Sequence, residues 1–159
     1  MKVSVTNALK GCRVNTGNIK ALASFFLGKA SRRTGIEWGE ISIILSDDTH
    51  MRKINAASLG HDYATDVISF NFEPMPGEPV NIKTGEIFVN VELARRLGPL
   101  YKKDANHELA LYLAHGCDHL SGSEDNTQPR RIQMRRREFQ WIKDAKRQDL
   151  NFRLIVPPK

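Results

Sequence analysis

The sequence predicts an α+β protein, with one mixed β-sheet of about four strands and helices packed over it. Two observations lead there. Strand-like and helix-like segments follow in the order β, α, β, α, β, β and then helices only. The 159 residues, 40% of them hydrophobic, suffice for one sizeable core and are too few to favour two, so residues 1–159 are expected to form one domain.

Each element has a local reason. "KVSVT" alternates as a strand does. Residues 18–30 place Ile19, Leu22, Ala23, Phe26 and Leu27 on one helical stripe, with Gly28 and Gly35 at its exit. "EISIILS" (40–46) is a nearly continuous β-branched run and reads as a strand buried on both faces. Ser46, Asp47 and Asp48 are good caps for a helix carrying Met51 and Ile54. "DVISFNF" (66–72) sets Val67, Ser69 and Asn71 against Ile68, Phe70 and Phe72, a strand pattern. "EPMPGEPVNIKTG" is rich in Pro and Gly and reads as a loop or hairpin tip, followed by the strand "EIFVNV" (86–91). A short helix, "VELARRLG", stops near Gly98-Pro99. Residues 104–122 form the longest helix, with Leu109, Tyr112, Leu113 and Leu120 on its apolar side and Gly122 as the left-handed residue past its end. A last helix from about Pro129 to Lys146, capped by Asn126 or Thr127, turns Ile132, Phe139 and Ile142 inward and displays Arg130, Arg131, Arg135, Arg136 and Arg137.

Composition narrows the function. No apolar run approaches the roughly 20 residues that span a bilayer, and "MKVSVTNALKGCRVNTG" lacks the apolar stretch of a secretory signal, so the expected location is the cytoplasm with no membrane partner. Cys12 and Cys117 are the only cysteines and make no CxxC pair. A net charge of +6 suits a polyanionic partner without naming one.

"HGCDHLSGSED" (115–125) carries the chemistry. His115 and His119 stand at i and i+4, on one helical face, and can present imidazole nitrogens to one ion. Gly122 lets the chain turn back so that Asp125 adds a carboxylate; Glu124 is the alternative if the loop runs one residue tighter. Three protein ligands leave a fourth tetrahedral position open, the layout of a catalytic zinc. His2Asp also suits nickel, cobalt or iron. Cys117, at i+2, points away from the histidines. The spacing HxxxHxxGxxD is that of one group of zinc proteases. Those place a glutamate after the first histidine as general base; here Gly116 stands there, which removes the base and disfavours a peptidase.

The same stretch resembles the YbeY family of bacterial single-zinc endoribonucleases, which mature rRNA. His115, Gly116, His119, Leu120 and Gly122 fit its signature H-G-x-L-H-L-x-G-x-D-H. "EISIILSDD" looks like the family's second strand. "TDVISFNF" matches its T-D-V-L-S-F strand through Thr65, Asp66, Val67, Ser69 and Phe70, and "TGEIFV" its G-D-I strand through Gly85, Glu86 and Ile87. The likeness covers residues 40 to 140 and departs at two points. The family's third histidine is Asp125 here, an acceptable ligand that makes the zinc a weaker Lewis acid. Its arginine upstream of T-D-V falls on Leu59, which cannot stabilise phosphorane charge; Arg52, a helical turn or two away, is the nearest substitute.

The remaining candidates carry two readings each. Asp118 either orients a ligand histidine or faces solvent near the helix end. His107 reads as a surface residue and Glu108 as a charge complementing the helix dipole. His50 and His61 have no partner at metal-binding spacing, although His61 stands near T-D-V. Thr65, Asp66 and Ser69 border the cleft on the family's pattern. "PRRIQMRRR" is a solvated face or a surface that tracks phosphates, with Arg130, Arg131 and Arg135 the substrate-binding candidates. Aromatics are sparse beside it, which favours structured RNA over stacked single strands.

The resemblance implies a zinc-dependent endoribonuclease, with one Zn(2+) held by His115, His119 and Asp125. Its expected partners are rRNA precursors (the 16S 3′ end) and the small ribosomal subunit, with no DNA. The alternative is a non-catalytic assembly factor that binds rRNA or a ribosomal protein, its zinc serving stability.

Overall fold

The computed structural model describes residues 1–60 and 64–158. Four strands, β1 (Lys2–Asn7), β2 (Glu37–Ser46), β3 (Val67–Phe72) and β4 (Ile82–Asn90), make one sheet in the order β1-β2-β4-β3. β1, β2 and β4 are parallel, and β3 runs antiparallel at the edge beside β4. The sheet is therefore mixed, and the architecture is α+β with helices α1 (Thr16–Thr34), α2 (Asp48–Leu59), α3 (Val91–Leu100), α4 (Ala105–Leu120) and α5 (Gln128–Arg147). None of these helices is long and apolar enough to cross a membrane.

The parallel pairing of β1 with β2 needs a crossover, and α1 supplies it. Asn15 caps its start by accepting from the Asn18 N–H, and Gly35 ends it at φ 77°, donating to the Ser31 carbonyl. Gly28 lies inside the helix rather than at its exit, since the buried stripe continues to Ala30.

The run in β2 is buried on one face only. Ile41, Ile43 and Leu45 are fully buried, while Ser42 and Ile44 between them are half-buried. α1 and α4 cover the first face. α2 covers part of the other, where its His50 ring stands edge-on to Phe88. β4 also starts earlier than its composition suggests, at Ile82. The glycine that looked like a turn former, Gly85, sits within the ladder: a Cβ there would collide with the Phe70 carbonyl and approach Leu120 Cδ1 to 2.8 Å. This glycine marks a close approach, not a turn.

α4 is the central helix. Leu109, Ala110, Leu113, Ala114, Cys117 and Leu120 are fully buried. Asp104 caps it through the His107 N–H, and Gly122, at φ 103°, donates to the His119 carbonyl just beyond its end. Gly116 lets the helix lie close on β4, because a Cβ there would stand 2.6 Å from Ile87 Cγ2. The Ser69 hydroxyl donates to the Gly116 carbonyl at 2.9 Å and ties α4 to β3.

α5, capped by Thr127, packs with a different phase from the one its aliphatic residues suggest. Met134, Glu138, Trp141, Ile142 and Ala145 are buried, whereas Ile132 (46%) and Phe139 (45%) are exposed. Trp141 stacks on Phe26 of α1, with centroids 6.3 Å apart.

Candidate metal centre

His115 and His119 project from the last turns of α4, and the turn at Gly122 brings Asp125 back towards them. The two Nε2 atoms are 3.0 Å apart, and Asp125 Oδ2 lies 3.7 Å from the first and 3.4 Å from the second. A tetrahedral ion bonded at about 2.0–2.1 Å separates its ligand atoms by about 3.3 Å. Among the described residues, this is the group of His, Cys, Asp and Glu side chains placed to hold a metal ion.

The other ring nitrogens explain why the Nε2 atoms are the ones presented. His115 Nδ1 lies 2.5 Å from Glu138 Oε1, and His119 Nδ1 lies 3.0 Å from the Ser123 carbonyl oxygen. Both acceptors take a proton from Nδ1, which leaves a lone pair on each Nε2. Two lone pairs at 3.0 Å repel unless a proton or a cation stands between them. The donor set therefore fits a divalent ion. Burial alone would push the His115 imidazole down; the Glu138 carboxylate, with Asp66 and Asp125, outweighs this and leaves it raised. Burial in turn pushes Glu138 up, against the pull of His115.

Beneath the ligands lies a polar network. Asp118 is fully buried, so the solvent-facing reading of it is wrong. It accepts from Arg137 Nε at 3.1 Å and from the Ser123 hydroxyl at 2.7 Å, with Arg33 3.6 Å away. Arg137, expected on display, is largely buried in this contact. The network holds residue 123, whose carbonyl orients His119. Asp118 thus acts on the ligands through the loop, not by touching an imidazole. Cys117 faces the core, its thiol pushed up by burial, and is no ligand. Glu124 turns to Arg130 at 2.9 Å.

The centre opens into a cavity of about 830 Å³. Thr65 and Asp66 line it from the segment just before β3, and Arg131 and Arg135 from α5. Arg131 also donates to the Asp125 carbonyl at 3.2 Å. Arg130 lies outside this lining, paired with Glu124 and Asn126. Two residues read as surface features line the cavity as well. His107 is lowered by burial, with Lys146 and Lys103 adding to it. Glu108 is 8% exposed and raised by burial. Leu59, at the end of α2, is 51% exposed, and Arg52 is exposed on the same helix, which lies on the opposite face of the sheet. His61 lies outside the described residues.

Glu138 was missed from sequence. It stands 23 residues from its histidine on another helix, within an arginine run. Its signal was the stripe Met134, Glu138, Trp141, Ile142, Ala145, where a carboxylate occupies a core position.

Comparison with known proteins bears on the family and the fold. The family model described as "Endoribonuclease YbeY" matches residues 4–146. A protein of Elusimicrobium minutum, named Endoribonuclease YbeY, is 38% identical over 122 residues, covering 75% of this chain and 80% of the relative. Its namesake in Christiangramia forsetii is 34% identical over 104 residues, covering 65% and 69%. The solution structure of a Thermotoga maritima protein, 18% identical, superposes with a TM-score of 0.57 over 92% of this chain and 93% of that one, a likeness of fold. With the signature histidines converging as described and the matched region running from β1 to the end of α5, the chain belongs to the YbeY family.

Proposed function

We propose that this protein is a metal-dependent endoribonuclease acting on rRNA precursors, with one zinc ion held by His115, His119 and Asp125 and with residues 1–159 working as one cytoplasmic domain. The carrying observation is the convergence of the two Nε2 atoms and Asp125 Oδ2 at the mouth of a cleft bordered by Arg131 and Arg135. The family membership and the names of the relatives support RNA as the substrate.

A divalent ion bound there supplies Lewis acidity, polarising a phosphodiester oxygen and lowering the pKa of water. The chain does the rest. Glu138 fixes the His115 tautomer, and the Ser123 carbonyl fixes that of His119. The guanidinium groups of Arg131 and Arg135 offer donors and charge to backbone phosphates. Gly116 disfavours the proteolytic reading, since glycine supplies no general base and a side chain at that position would face Ile87.

The test is incubation of zinc-loaded protein with an rRNA fragment bearing an unprocessed 3′ end, with His119→Ala as the control for contaminating nuclease. Cleavage by the wild type alone is the expected result. Leu59, standing where the family has an arginine, favours a second reading as an assembly factor. That reading requires both proteins to bind the fragment and leave it intact.

A further inference from the structure

The cleft holds two groups that phosphate recognition does not need. Glu108 is more than nine-tenths buried and still lines the cavity, close enough to Asp66 and Arg135 for their charges to act on it. Tyr112, one turn on along α4, lines the same cavity. A carboxylate repels a phosphate and selects a ligand edge rich in N–H donors. Above it the walls are apolar and aromatic: Leu93, Leu97 and Tyr101 come from α3 and its end, and Phe139 from α5. Tyr101 is 61% exposed and Phe139 45% exposed, so both can meet a planar ligand. The aromatics that looked sparse beside the arginine run are gathered here from separate elements.

We infer that this part of the cleft is a subsite for one unpaired guanine base next to the scissile phosphate, with Glu108 reading its Watson–Crick edge and Tyr101 and Phe139 flanking its ring. The inference rests on the nuclease reading for its choice of ligand class. Guanine alone among the four bases sets two donors, N1–H and the N2 amino group, side by side, matching the two oxygens of a carboxylate. Adenine and cytosine place a ring acceptor beside their amino group, and uracil sets its one N–H between two carbonyls; each brings a lone pair against Glu108. Spacing agrees. Glu108, Tyr112 and His115 lie at i, i+4 and i+7 on one face of α4, which separates Glu108 from His115 by about 10 Å along the axis. The reach from a phosphate to the far edge of its own base is of that order. Reading of splayed-out bases by aromatic stacking and edge hydrogen bonds is a general mode of RNA recognition.

The test titrates 5′-GMP, 5′-AMP, 5′-CMP and 5′-UMP into zinc-loaded full-length protein and its Glu108→Gln and Tyr101→Ala variants, reading dissociation constants by calorimetry. 5′-GMP should bind about tenfold more tightly than 5′-AMP, the discrimination of one good bidentate contact. Glu108→Gln, whose amide sets an acceptor beside a donor and so suits the edges of adenine and cytosine, should abolish the preference for 5′-GMP while 5′-UMP affinity is kept. Tyr101→Ala, at an exposed position, should weaken all four by about fivefold or more and preserve their rank. Equal binding of the four by the wild type, or an unchanged preference in Glu108→Gln, overturns the subsite. Selective 5′-GMP binding by a protein that cleaves no RNA leaves the subsite standing and removes the nuclease reading. Cleavage of RNA by a protein that binds the four equally does the reverse.

Discussion

Glu138 shows how much a single side chain outside the ligand set decides. It is 5% exposed, and its carboxylate has one evident task, to hold His115 with Nε2 forward. Glu138→Gln should keep the fold and lower metal affinity by about 10- to 100-fold, the usual cost of losing such a partner; competition with a chromogenic chelator measures it. Gly116 is the complementary case, where a residue matters because it has no side chain. Gly116→Ala forces a methyl against buried Ile87 and should cost about 1–3 kcal/mol in stability, read as a lower denaturation midpoint in urea. At this scale the sequence is legible wherever the signal is local. His115, His119 and Asp125 sit within one turn and a loop, and their spacing alone brings them together. Glu138 and Glu108 were not legible, because burial depends on which helix faces which.

Between elements, charge does the fastening. Asp118 of α4 joins Arg33 at the end of α1 to Arg137 of α5, and the loop of Ser123 hangs from it. Asp118→Asn leaves the largely buried Arg137 guanidinium short of its counter-charge, while the 40% exposed Arg33 is screened by solvent, and should destabilise by about 1–3 kcal/mol, with a matching loss of metal affinity as residue 123 loosens; thermal melts and chelator competition together separate the two effects. At the far end of the sheet Asp48, opening α2, pairs with Arg96 of α3 at 2.8 Å. The Arg96 guanidinium, with Asn90 and Glu92 and against the effect of burial, lowers the Asp48 carboxyl from 3.8 to about 2. A depressed carboxylate stabilises above its unfolded pKa and loses that contribution as pH falls through the folded value. Asp48→Asn should therefore melt lower than wild type at neutral pH, with the gap closing between about pH 4 and about pH 2; melts across that range check it. Elements with strong periodicity, α1 and α4, were legible. The phase of α5 was not, because Ile132 and Phe139 look like core and line the outside and the cleft, while Glu138 looks like surface and lies within.

For the molecule as a whole, the sheet is a platform that presses α4 flat so that its polar face opens towards α3 and α5. Gly85 and Gly116 permit that closeness, and the cleft follows from it. Alternating segments were enough to give the α+β class and the mixed sheet; the cleft's aromatic lining was not readable, since Tyr101, Tyr112 and Phe139 come to one cavity only when three helices pack. The central claim is that one ion at His115, His119 and Asp125 governs RNA cleavage. The most direct measurement titrates zinc into chelator-stripped protein, following bound metal and RNA cleavage in the same samples. The account predicts no cleavage at the start, a rise that breaks at one equivalent, and neither binding nor cleavage in His119→Ala. Cleavage that persists after stripping, or that is indifferent to zinc while the site fills, would contradict it.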